Sequence, residues 1–326
     1  MHWKGCSSRE ALDVGKQSSR PDADDLVQNR SHHPPATAYN ITNLHTGARL
    51  EGYNAQKATF SRTINIKQLG HAILTIPLAG DEVETYLITL PSLHIEGLIY
   101  GAPFIELNSS SHITCSSGYT AKITYSGKGW LSGEKNSVTA AIYHEDAPAK
   151  VLYNATGVWT RSFSIYKGAG GKTNTKENLV EAYDAASSPA SVLTVRKEED
   201  QHPLESRRAW GKVASAILKG DMDTVSREKG KIEQAQRDMR AREKADGKSW
   251  ERRYFTALDK PDGILEAMAE RVGLPVNGDA DKTGGLWRFD KLKDEKIKKE
   301  KPLTKKDVER IERELLGQGE KKEETE

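Results

Sequence analysis

Residues 31–42 read SHHPPATAYNIT, and they give the starting point for the rest of the chain. Two adjacent histidines are followed by two prolines, and then by the small, β-branched and aromatic residues that strands favour. Proline fixes its own φ and holds the preceding residue in an extended conformation, which places His32 and His33 at a rigid point where the chain enters a strand. Imidazole can donate to an anion when protonated, and can bind a metal or move a proton when neutral. The pattern alone leaves a functional pair and an ordinary surface pair equally open.

From residue 36 to about residue 166 the sequence favours one short strand after another, separated by turn residues such as Thr46 and Gly47. About ten strands at this spacing predict an antiparallel meander that closes toward a barrel, with room inside for a ligand. The segments that we expect to be strands are Ala58–Ile66, Ala72–Pro77, Val83–Leu90, Ala121–Tyr125, Ser137–Tyr143 and Gly157–Tyr166.

Helical periodicity begins near Glu205. Five apolar residues at helical spacing predict one buried face, and Gly220 is placed to end that helix. A second helix, from about Thr224 to Lys244, is almost entirely charged. The five residues of the predicted face are Trp210, Val213, Ala214, Ile217 and Leu218.

Aromatic residues follow these helices, and we expect Trp250, Tyr254 and Phe255 to pack in a core. Residues 286–289 (LWRF) are predicted to form a final packed segment, and the Lys/Glu-rich run after them contains one weak amphipathic helix.

Composition limits the classes of function. The chain has 326 residues, of which 29% are charged and 36% hydrophobic, and its net charge of +2 argues against bulk nucleic-acid binding. The only cysteines, Cys6 and Cys115, fit a reducing compartment without a disulfide framework. No run approaches the roughly 18 apolar residues of a membrane span, and the N-terminus has no apolar leader. These features predict a cytoplasmic protein with at most peripheral membrane contact.

Several segments, in the same order over residues 30 to 290, resemble the oxysterol-binding protein-related family, and in particular its short fungal Kes/Osh-type members, which consist of the lipid-binding domain alone. After SHHPP they are TAYNITN (37–43), GARLEGYNAQKATF (47–60), LITLPSLHIEGLIYGAPFIEL (87–107), GKGWLSGEKNSVTAAIY (127–143), QHPLESRRAWGKVASAILKGD (201–221), KGKIEQAQRDMR (229–240) and SWERRYF (249–255). The resemblance implies a mainly β fold with α-helices (α+β): a large, antiparallel, near-complete β-barrel around a single lipid tunnel, followed by a helical region.

The resemblance also implies a function without covalent chemistry or a cofactor: sterol and phosphatidylinositol 4-phosphate compete for one tunnel and are exchanged between membranes. Some relatives carry phosphatidylserine instead of sterol, so the second lipid stays open. We expect a monomer that contacts anionic membranes peripherally, at contacts of the endoplasmic reticulum, Golgi or plasma membrane.

The residues that match the family's headgroup site are His32, His33, Lys229, Glu233 and Arg237. The last three are spaced by four, so they share one face of the charged helix. Without the resemblance, the simpler interpretation is a solvated face with ion pairs of about 0.2–0.5 kcal/mol each. The family match assigns the cations and imidazoles to a phosphate monoester, which carries close to two negative charges near neutral pH. An anion raises imidazole pKa, so phosphoinositide binding should tighten below neutral pH.

Three further residues are matched in the same way. Asn54 and Gln68 correspond to tunnel positions where polar side chains and water meet a sterol hydroxyl; the alternative is a turn asparagine and an exposed strand glutamine. Lys57 corresponds to a basic residue near the tunnel mouth, with a membrane-facing role.

We divide the chain into a disordered segment (1–25), the barrel part of the lipid-binding domain (26–205), its helical part (206–290) and a charged helical or disordered tail (291–326). The family's lid helix, first strands and Leu-Gly-Glu motif are not found before His32, so the resemblance implies an N-terminally truncated chain. The alternative function is a lid-less form that binds phosphoinositide or membrane without transfer.

The sequence gives little support for nucleotide binding or for hydrolase activity. The sequence has no phosphate-binding glycine loop, no zinc-protease His-Glu-x-x-His pattern and no Gly-x-Ser-x-Gly motif. Adjacent histidines on a strand point to opposite faces, which is a poor arrangement for chelating one metal and argues against a metallohydrolase.

Overall fold

One antiparallel sheet of 13 strands dominates the computed structural model. The structure describes residues 14–17, 23–32, 35–60, 63–98, 101–127, 133–187, 195–248, 252–258, 263–273 and 286–317, and gives the backbone alone up to residue 35. The strands of the sheet are β1 (Val14–Gln17), β2 (Ala23–His32), β3 (Pro35–Asn43), β4 (Arg49–Phe60), β5 (Ile64–Pro77), β6 (Val83–Thr89), β7 (Ser92–Glu96), β8 (Phe104–Cys115), β9 (Tyr119–Ser126), β10 (Ser137–His144), β11 (Tyr153–Val158), β12 (Ser162–Lys167) and β13 (Leu179–Asp184).

The sheet follows chain order, as short turns between antiparallel strands require. The strands run β1 to β6 and then β8 to β13, and β7 pairs with both β5 and β8. In the described part of the chain, no pairing joins β1 to β13, so these two strands form the ends of the sheet. The antiparallel, mainly β architecture expected from the sequence is confirmed.

Two predicted strands were wrong because each runs across a turn. Ala58–Ile66 contains the end of β4 and the start of β5, and Gly157–Tyr166 contains the turn between β11 and β12. In the second case the turn is closed by a 2.9 Å hydrogen bond from the Arg161 amide to the Val158 carbonyl. Residues that favour strands continue through both turns, so composition gives no signal for the break.

The register of the strands sorts the side chains into two faces, because directly opposite residues share a face and successive residues alternate. One face, which we call the covered face, carries Tyr53, Ile73 and Leu87. The other, which we call the open face, is mostly apolar over ten strands. Its apolar residues include Ile41, Leu50, Phe60, Ile64, Ile66, Leu74, Ile88, Leu93, Ile95, Ile105, Leu107, Ile113, Ile123, Val138, Ile142, Phe163 and Ile165.

The packed clusters that join the sheet to other elements draw on the covered face. Helix α4 (Gly263–Glu270) buries Leu265 and Met268 against Ile73 and Leu87. A small hairpin of β14 (Phe255–Leu258) and β15 (Leu286–Phe289) buries its aromatic residues against the same face. The larger apolar residues of the open face, in contrast, stay half-buried or exposed along β4, β5, β7 and β8.

The aromatic core predicted from the sequence is confirmed where it is described. Phe255 and Trp287 are almost fully buried, and Tyr254 is 9% exposed. Trp250 lies outside the described residues. Arg252 places its guanidinium 4.3 Å from the centre of the Trp287 ring.

The helical region contains α1 (Ser206–Ala209), α2 (Gly211–Leu218), α3 (Met222–Ala245), α5 (Lys291–Lys298) and α6 (Lys305–Leu316). A cluster that includes buried Leu204, Val213, Ile232 and Leu316 joins α1, α2, α3 and α6. Short 3-10 turns lie at Ala79–Asp81, Gly171–Thr173, Lys176–Asn178 and Glu198–Asp200. Among the described residues, no helix combines the length and the apolar character that crossing a bilayer requires.

The predicted apolar face of α2 was partly wrong. Val213 is buried, but Ile217 is 57% and Leu218 88% exposed, and Ala216 takes their place in the packed side. The helix has only eight residues and ends at Leu218, two residues before Gly220 (φ +71°), and its last two side chains face solvent.

Strands and helices extend further toward both ends of the chain than its composition predicted. Strand β1 and the first residues of β2 fall in the segment expected to be disordered, and β2 pairs along its length with β3. In the charged tail, Thr304 and Asp307 form a capping box at the start of α6, whose Leu316 is 1% exposed.

Candidate functional site

The histidine–proline motif forms the connection between β2 and β3. His32 is the last residue of β2, Pro35 is the first of β3, and the two are paired. His33 and Pro34 lie outside the described residues. The expected strand entry is therefore present, with His32 at the end of one strand and the next strand beginning at Pro35, the second of the two prolines.

The motif lies at the same end of the sheet as the β4–β5 turn. A row of paired residues, Ser31, Ala36, Ala55 and Leu69, crosses four strands just below it. Gln68 precedes Leu69 in β5, so it is displaced from this row in the same direction as His32. The two predicted sites thus lie at one level of the sheet, three strands apart.

Asn54 and Gln68 form one polar network. Asn54 Nδ2 donates to Gln68 Oε1 at 2.9 Å, and Gln68 Nε2 donates to the Pro91 carbonyl at 2.7 Å. Both side chains are half-buried in strands, so they are neither a turn asparagine nor a fully exposed glutamine. Asn54 Oδ1 is buried, has no hydrogen-bond partner in the described structure and is an acceptor available to a hydroxyl.

Two apolar rows of the open face extend from this network to the β4–β5 turn. The first row consists of Ala58, Ile66, Leu93 and Leu107. The second consists of Phe60, Ile64, Ile95 and Ile105. Asn54 and Phe60 are six residues apart on β4, which corresponds to about 20 Å along a strand. The surface is therefore long and apolar, with polar side chains at one end.

The outer row is open to solvent, because Phe60 is 78% and Ile105 is 50% exposed. Leu98, beside it in the chain after β7, is 40% exposed. A contiguous apolar surface of this kind marks a binding site for an apolar partner more often than an isolated exposed residue does.

The charged helix α3 carries Lys229, Glu233 and Arg237 on one face, as predicted. Lys229 Nζ lies 3.6 Å from Glu233 Oε1, and both side chains are close to half-exposed. Arg237 donates to Gln234 Oε1 at 3.0 and 3.2 Å and does not pair with Glu233. Helix α3 packs mainly on α2 and α6. The side chains of the histidine motif lie outside the described residues, so the joining of these cations to the histidines stays a prediction.

Lys57 is exposed on β4, and it lies directly opposite Lys67 of β5 on the covered face. It lies near the β4–β5 turn, at the same end of the sheet as the histidine motif, but on the covered face, and its membrane-facing role stays a prediction.

A polar cluster at the other end of the open face was missed by the sequence analysis. Glu84 accepts hydrogen bonds from Tyr86 (2.5 Å), Ser117 (2.7 Å) and Cys115 (3.0 Å). The Tyr86 bond, followed by those from Ser117 and Cys115, lowers the pKa of Glu84, and the same contact with Glu84 raises the pKa of Tyr86. Tyr86 is only two residues from Glu84, but Cys115 and Ser117 are 31 and 33 residues away, so no local pattern indicates that the four residues form a cluster.

Comparison with known proteins agrees with the resemblance. The sequence pattern described as "Oxysterol-binding protein" matches residues 25–269, which is more than half of the chain. The chain belongs to the oxysterol-binding protein family. It is similar to Protein KES1 of Mycosarcoma maydis (42% identical over 253 residues, 76% of this chain and 63% of that protein). Protein kes1 of Schizosaccharomyces pombe is 40% identical over 238 residues, covering 73% of this chain and 60% of that protein.

A third relative, "Probable transporter efuK" of Hormonema carpetanum, is 38% identical over 273 residues, which are 82% of this chain and 38% of that protein. The chain thus spans less than two thirds of the length of these curated relatives.

Solved structures share the fold at low sequence identity. The Osh1 ORD domain in complex with ergosterol has a TM-score of 0.59 at 18% identity, covering 81% of this chain and 70% of that one. The Osh3 ORD of Saccharomyces cerevisiae in complex with PI(4)P has a TM-score of 0.54 at 18% identity, covering 79% and 71%.

Proposed function

We propose that the protein binds one lipid at a time on the open face and exchanges sterol and phosphatidylinositol 4-phosphate between membranes, without a covalent step. The observation that carries the proposal is the apolar surface of the open face, which ends in the Asn54–Gln68 network at one side and is exposed at the other. A sterol matches this surface, because it has a rigid apolar body with one hydroxyl group at one end.

The apolar rows provide the affinity for a lipid body. Burial of apolar surface stabilises a complex by about 25 cal/mol per Å², so a lipid that covers both rows gains several kcal/mol before any polar contact is made. Transfer requires this gain to be moderate, because a lipid held too tightly is not released to an acceptor membrane.

The Asn54–Gln68 network supplies the polar contact. A sterol hydroxyl can donate to the unpartnered Asn54 Oδ1 while the Asn54 amide stays bonded to Gln68. Gln68 is in turn fixed by the Pro91 carbonyl, so the network is already oriented before a ligand arrives. A pre-oriented acceptor loses little conformational entropy on binding.

The phosphate of the second lipid would be bound by His32, His33, Lys229 and Arg237. Each charge-assisted hydrogen bond contributes about 1.5–3 kcal/mol. Four such groups could therefore supply most of the roughly 8 kcal/mol of a micromolar affinity. In this arrangement Glu233 keeps the two helix cations apart and can accept from an inositol hydroxyl, while Lys57 contacts anionic lipids at the membrane.

The names of the structural neighbours support both ligands. An Osh1 domain was solved with ergosterol and an Osh3 domain with PI(4)P, and both share the fold of this chain. We accordingly propose a monomeric protein that associates with membranes peripherally while it exchanges these lipids.

The test is transfer of labelled sterol and labelled phosphatidylinositol 4-phosphate between liposomes. The double variant His32→Ala/His33→Ala should lose at least tenfold in phosphoinositide transfer and keep sterol transfer. The control is His45→Ala, which changes an exposed histidine in the β3–β4 turn at the other end of the sheet. Undiminished phosphoinositide transfer by the double variant would remove the histidines from the site.

A further inference from the structure

Positive charge is concentrated on helix α5 and on the link that joins it to α6. Residues 291–306 contain eight lysines and three acidic residues, a net charge of +5, whereas the whole chain has a net charge of +2. Two of the acidic residues are engaged within the fold, because Asp294 lies 2.6 Å from Lys298 and Glu300 lies 2.7 Å from Arg253. Six exposed lysines form no ion pair within the described part of the chain: Lys291, Lys296, Lys299, Lys301, Lys305 and Lys306.

Helix α5 is held on the fold by one side only. Asp294 is 7% exposed, and Ile297 packs against the aromatic cluster of the β14–β15 hairpin. Leu292, on the opposite side of the helix, is 78% exposed. Lys296 and Lys299 follow it by four and seven residues, so they lie on the same side. The solvent side of α5 therefore combines a large apolar side chain with two cations.

The link between α5 and α6 repeats this combination. Leu303 is 41% exposed, and the exposed Lys301 and Lys305 lie two residues before and after it. The capping box of Thr304 and Asp307 fixes the start of α6 directly after Leu303. Both exposed leucines thus occupy ordered positions among lysines that have no partner in the fold.

This surface begins at the end of the sheet away from the β4–β5 turn. The Phe289 amide donates to Glu51 Oε2 at 3.1 Å, and α5 begins two residues after Phe289. Glu51 and Phe60 are nine residues apart on β4, which corresponds to roughly 30 Å along a strand. The start of α5 is therefore remote from the exposed turn of the open face.

We propose that the exposed side of α5 and the α5–α6 link, which we call the lysine surface, docks on a membrane that contains anionic lipids. The lysine surface consists of the six lysines without an ion pair and of Leu292 and Leu303. The inference rests on the peripheral membrane association of the proposed function, and it names a surface for that association outside the open face.

The two residue types together favour a lipid surface as the partner. Lysines near a bilayer are attracted by its negatively charged headgroups. Leucines beside them can enter the boundary between headgroups and acyl chains, where their apolar surface leaves water. A nucleic acid would bind the lysines through its phosphates and would leave the leucines in water. Charge alone would suit either partner, and the exposed leucines favour the membrane.

The first experiment measures cosedimentation of the purified chain with vesicles of phosphatidylcholine, with and without phosphatidylserine. We expect the wild type to bind the vesicles that contain phosphatidylserine at least tenfold more tightly, and added salt should weaken this binding. Lys296→Glu/Lys299→Glu should weaken it at least tenfold, and the uncharged substitution Leu292→Ser at least threefold. The matched control is Lys150→Glu/Lys172→Glu, which makes the same charge change at two exposed lysines in turns of the sheet and should bind within twofold of the wild type.

The second experiment separates this inference from the proposed lipid exchange. The same variants are tested for equilibrium binding of a fluorescent sterol in solution, which should stay within twofold of the wild type, and circular dichroism checks their folding. If the wild type bound vesicles through the lysine surface but bound no sterol, the proposed function alone would fail.

The inference is overturned if Lys296→Glu/Lys299→Glu binds phosphatidylserine vesicles as tightly as the control does, or if Leu292→Ser binds them as the wild type does. It is also overturned if the lysine variant loses affinity for duplex DNA and keeps its affinity for vesicles, because the lysine surface would then be a nucleic-acid site.

Discussion

Adjacent residues of β8 provide a direct test of the two faces. Leu107 belongs to the apolar row nearest the Asn54–Gln68 network, and Asn108, the next residue, points to the opposite face and is exposed. Replacing either residue by Asp introduces the same charge at nearly the same place. Leu107→Asp should abolish tight lipid binding, whereas Asn108→Asp should change the dissociation constant by less than about twofold, because its carboxylate stays in water.

The expected loss follows from burial. A leucine covered by lipid contributes about 1.5–3 kcal/mol. An aspartate in its place must either lose solvation or take up a proton, and raising its pKa from about 4 to about 7 costs about 4 kcal/mol. A loss of 3–4 kcal/mol or more corresponds to at least about a hundredfold weaker binding, since about 1.4 kcal/mol is tenfold.

The assay is equilibrium binding of a fluorescent sterol, with circular dichroism and thermal unfolding of each variant as the control for folding. Leu107 is only half-buried without lipid, so the variant should fold. Equal losses for Leu107→Asp and Asn108→Asp, or wild-type affinity for Leu107→Asp, would refute the assignment of the lipid to the open face.

Three other predictions concern side chains outside β8. Gln68→Leu removes two hydrogen bonds, each worth about 0.5–1.5 kcal/mol, so it should weaken sterol binding about tenfold and leave phosphoinositide binding within twofold. Lys229→Ala/Arg237→Ala should weaken phosphoinositide binding at least tenfold in a vesicle assay, whereas Arg242→Ala, on the opposite side of α3, should have no effect. Burial, with Arg253 next in effect, lowers the pKa of His202 from 6.5 to about 4, so the folded state favours neutral imidazole and this contribution to stability is lost as pH falls from 6.5 toward 4. Urea unfolding at pH 7 and pH 5 should therefore show a smaller pH dependence for His202→Asn than for the wild type.

Each of these has a contrary outcome. If Gln68→Leu weakened the binding of both lipids equally, Gln68 would stabilise the sheet and would not contact a sterol hydroxyl. An equal effect of Arg242→Ala would mean that α3 attracts phosphoinositides by general charge. An unchanged pH dependence in His202→Asn would assign the acid sensitivity to the carboxylates around it.

Composition predicted the sheet but not its turns. Strand residues in β6, β9 and β10 are bounded by clear turn signals, and these segments were placed within one or two residues. The segment around Phe60 has no such signal, because Thr and Ile continue on both sides of the turn. The register, and with it the division into an open and a covered face, depends on pairing across the whole sheet and could not be derived from any one segment.

The site was predictable only through resemblance. The family motif singled out Asn54 and Gln68, and the structure joins them, but their third partner, the Pro91 carbonyl, lies 23 residues beyond Gln68. The i,i+4 spacing of Lys229 and Glu233 was sufficient to predict their ion pair. The preference of Arg237 for Gln234 depends on the side-chain conformation, which spacing does not determine.

Helix α2 shows a limit of predicting buried residues from helical periodicity. Periodicity placed Ile217 and Leu218 in the core, and the structure exposes both, because only the side of this short helix that faces α3 is packed. Hydrophobic periodicity identifies the apolar side of a helix. It does not show how much of that side a neighbouring helix will cover.

The most direct test of the central claim, one lipid at a time on one surface, is native mass spectrometry of the purified chain with sterol and phosphatidylinositol 4-phosphate added together. We predict two complexes, each with a single lipid, whose ratio follows the ratio of the added lipids, and no complex that holds both. A ternary complex with sterol and phosphatidylinositol 4-phosphate bound to the same molecule, or binding of neither lipid by folded protein, would contradict the account.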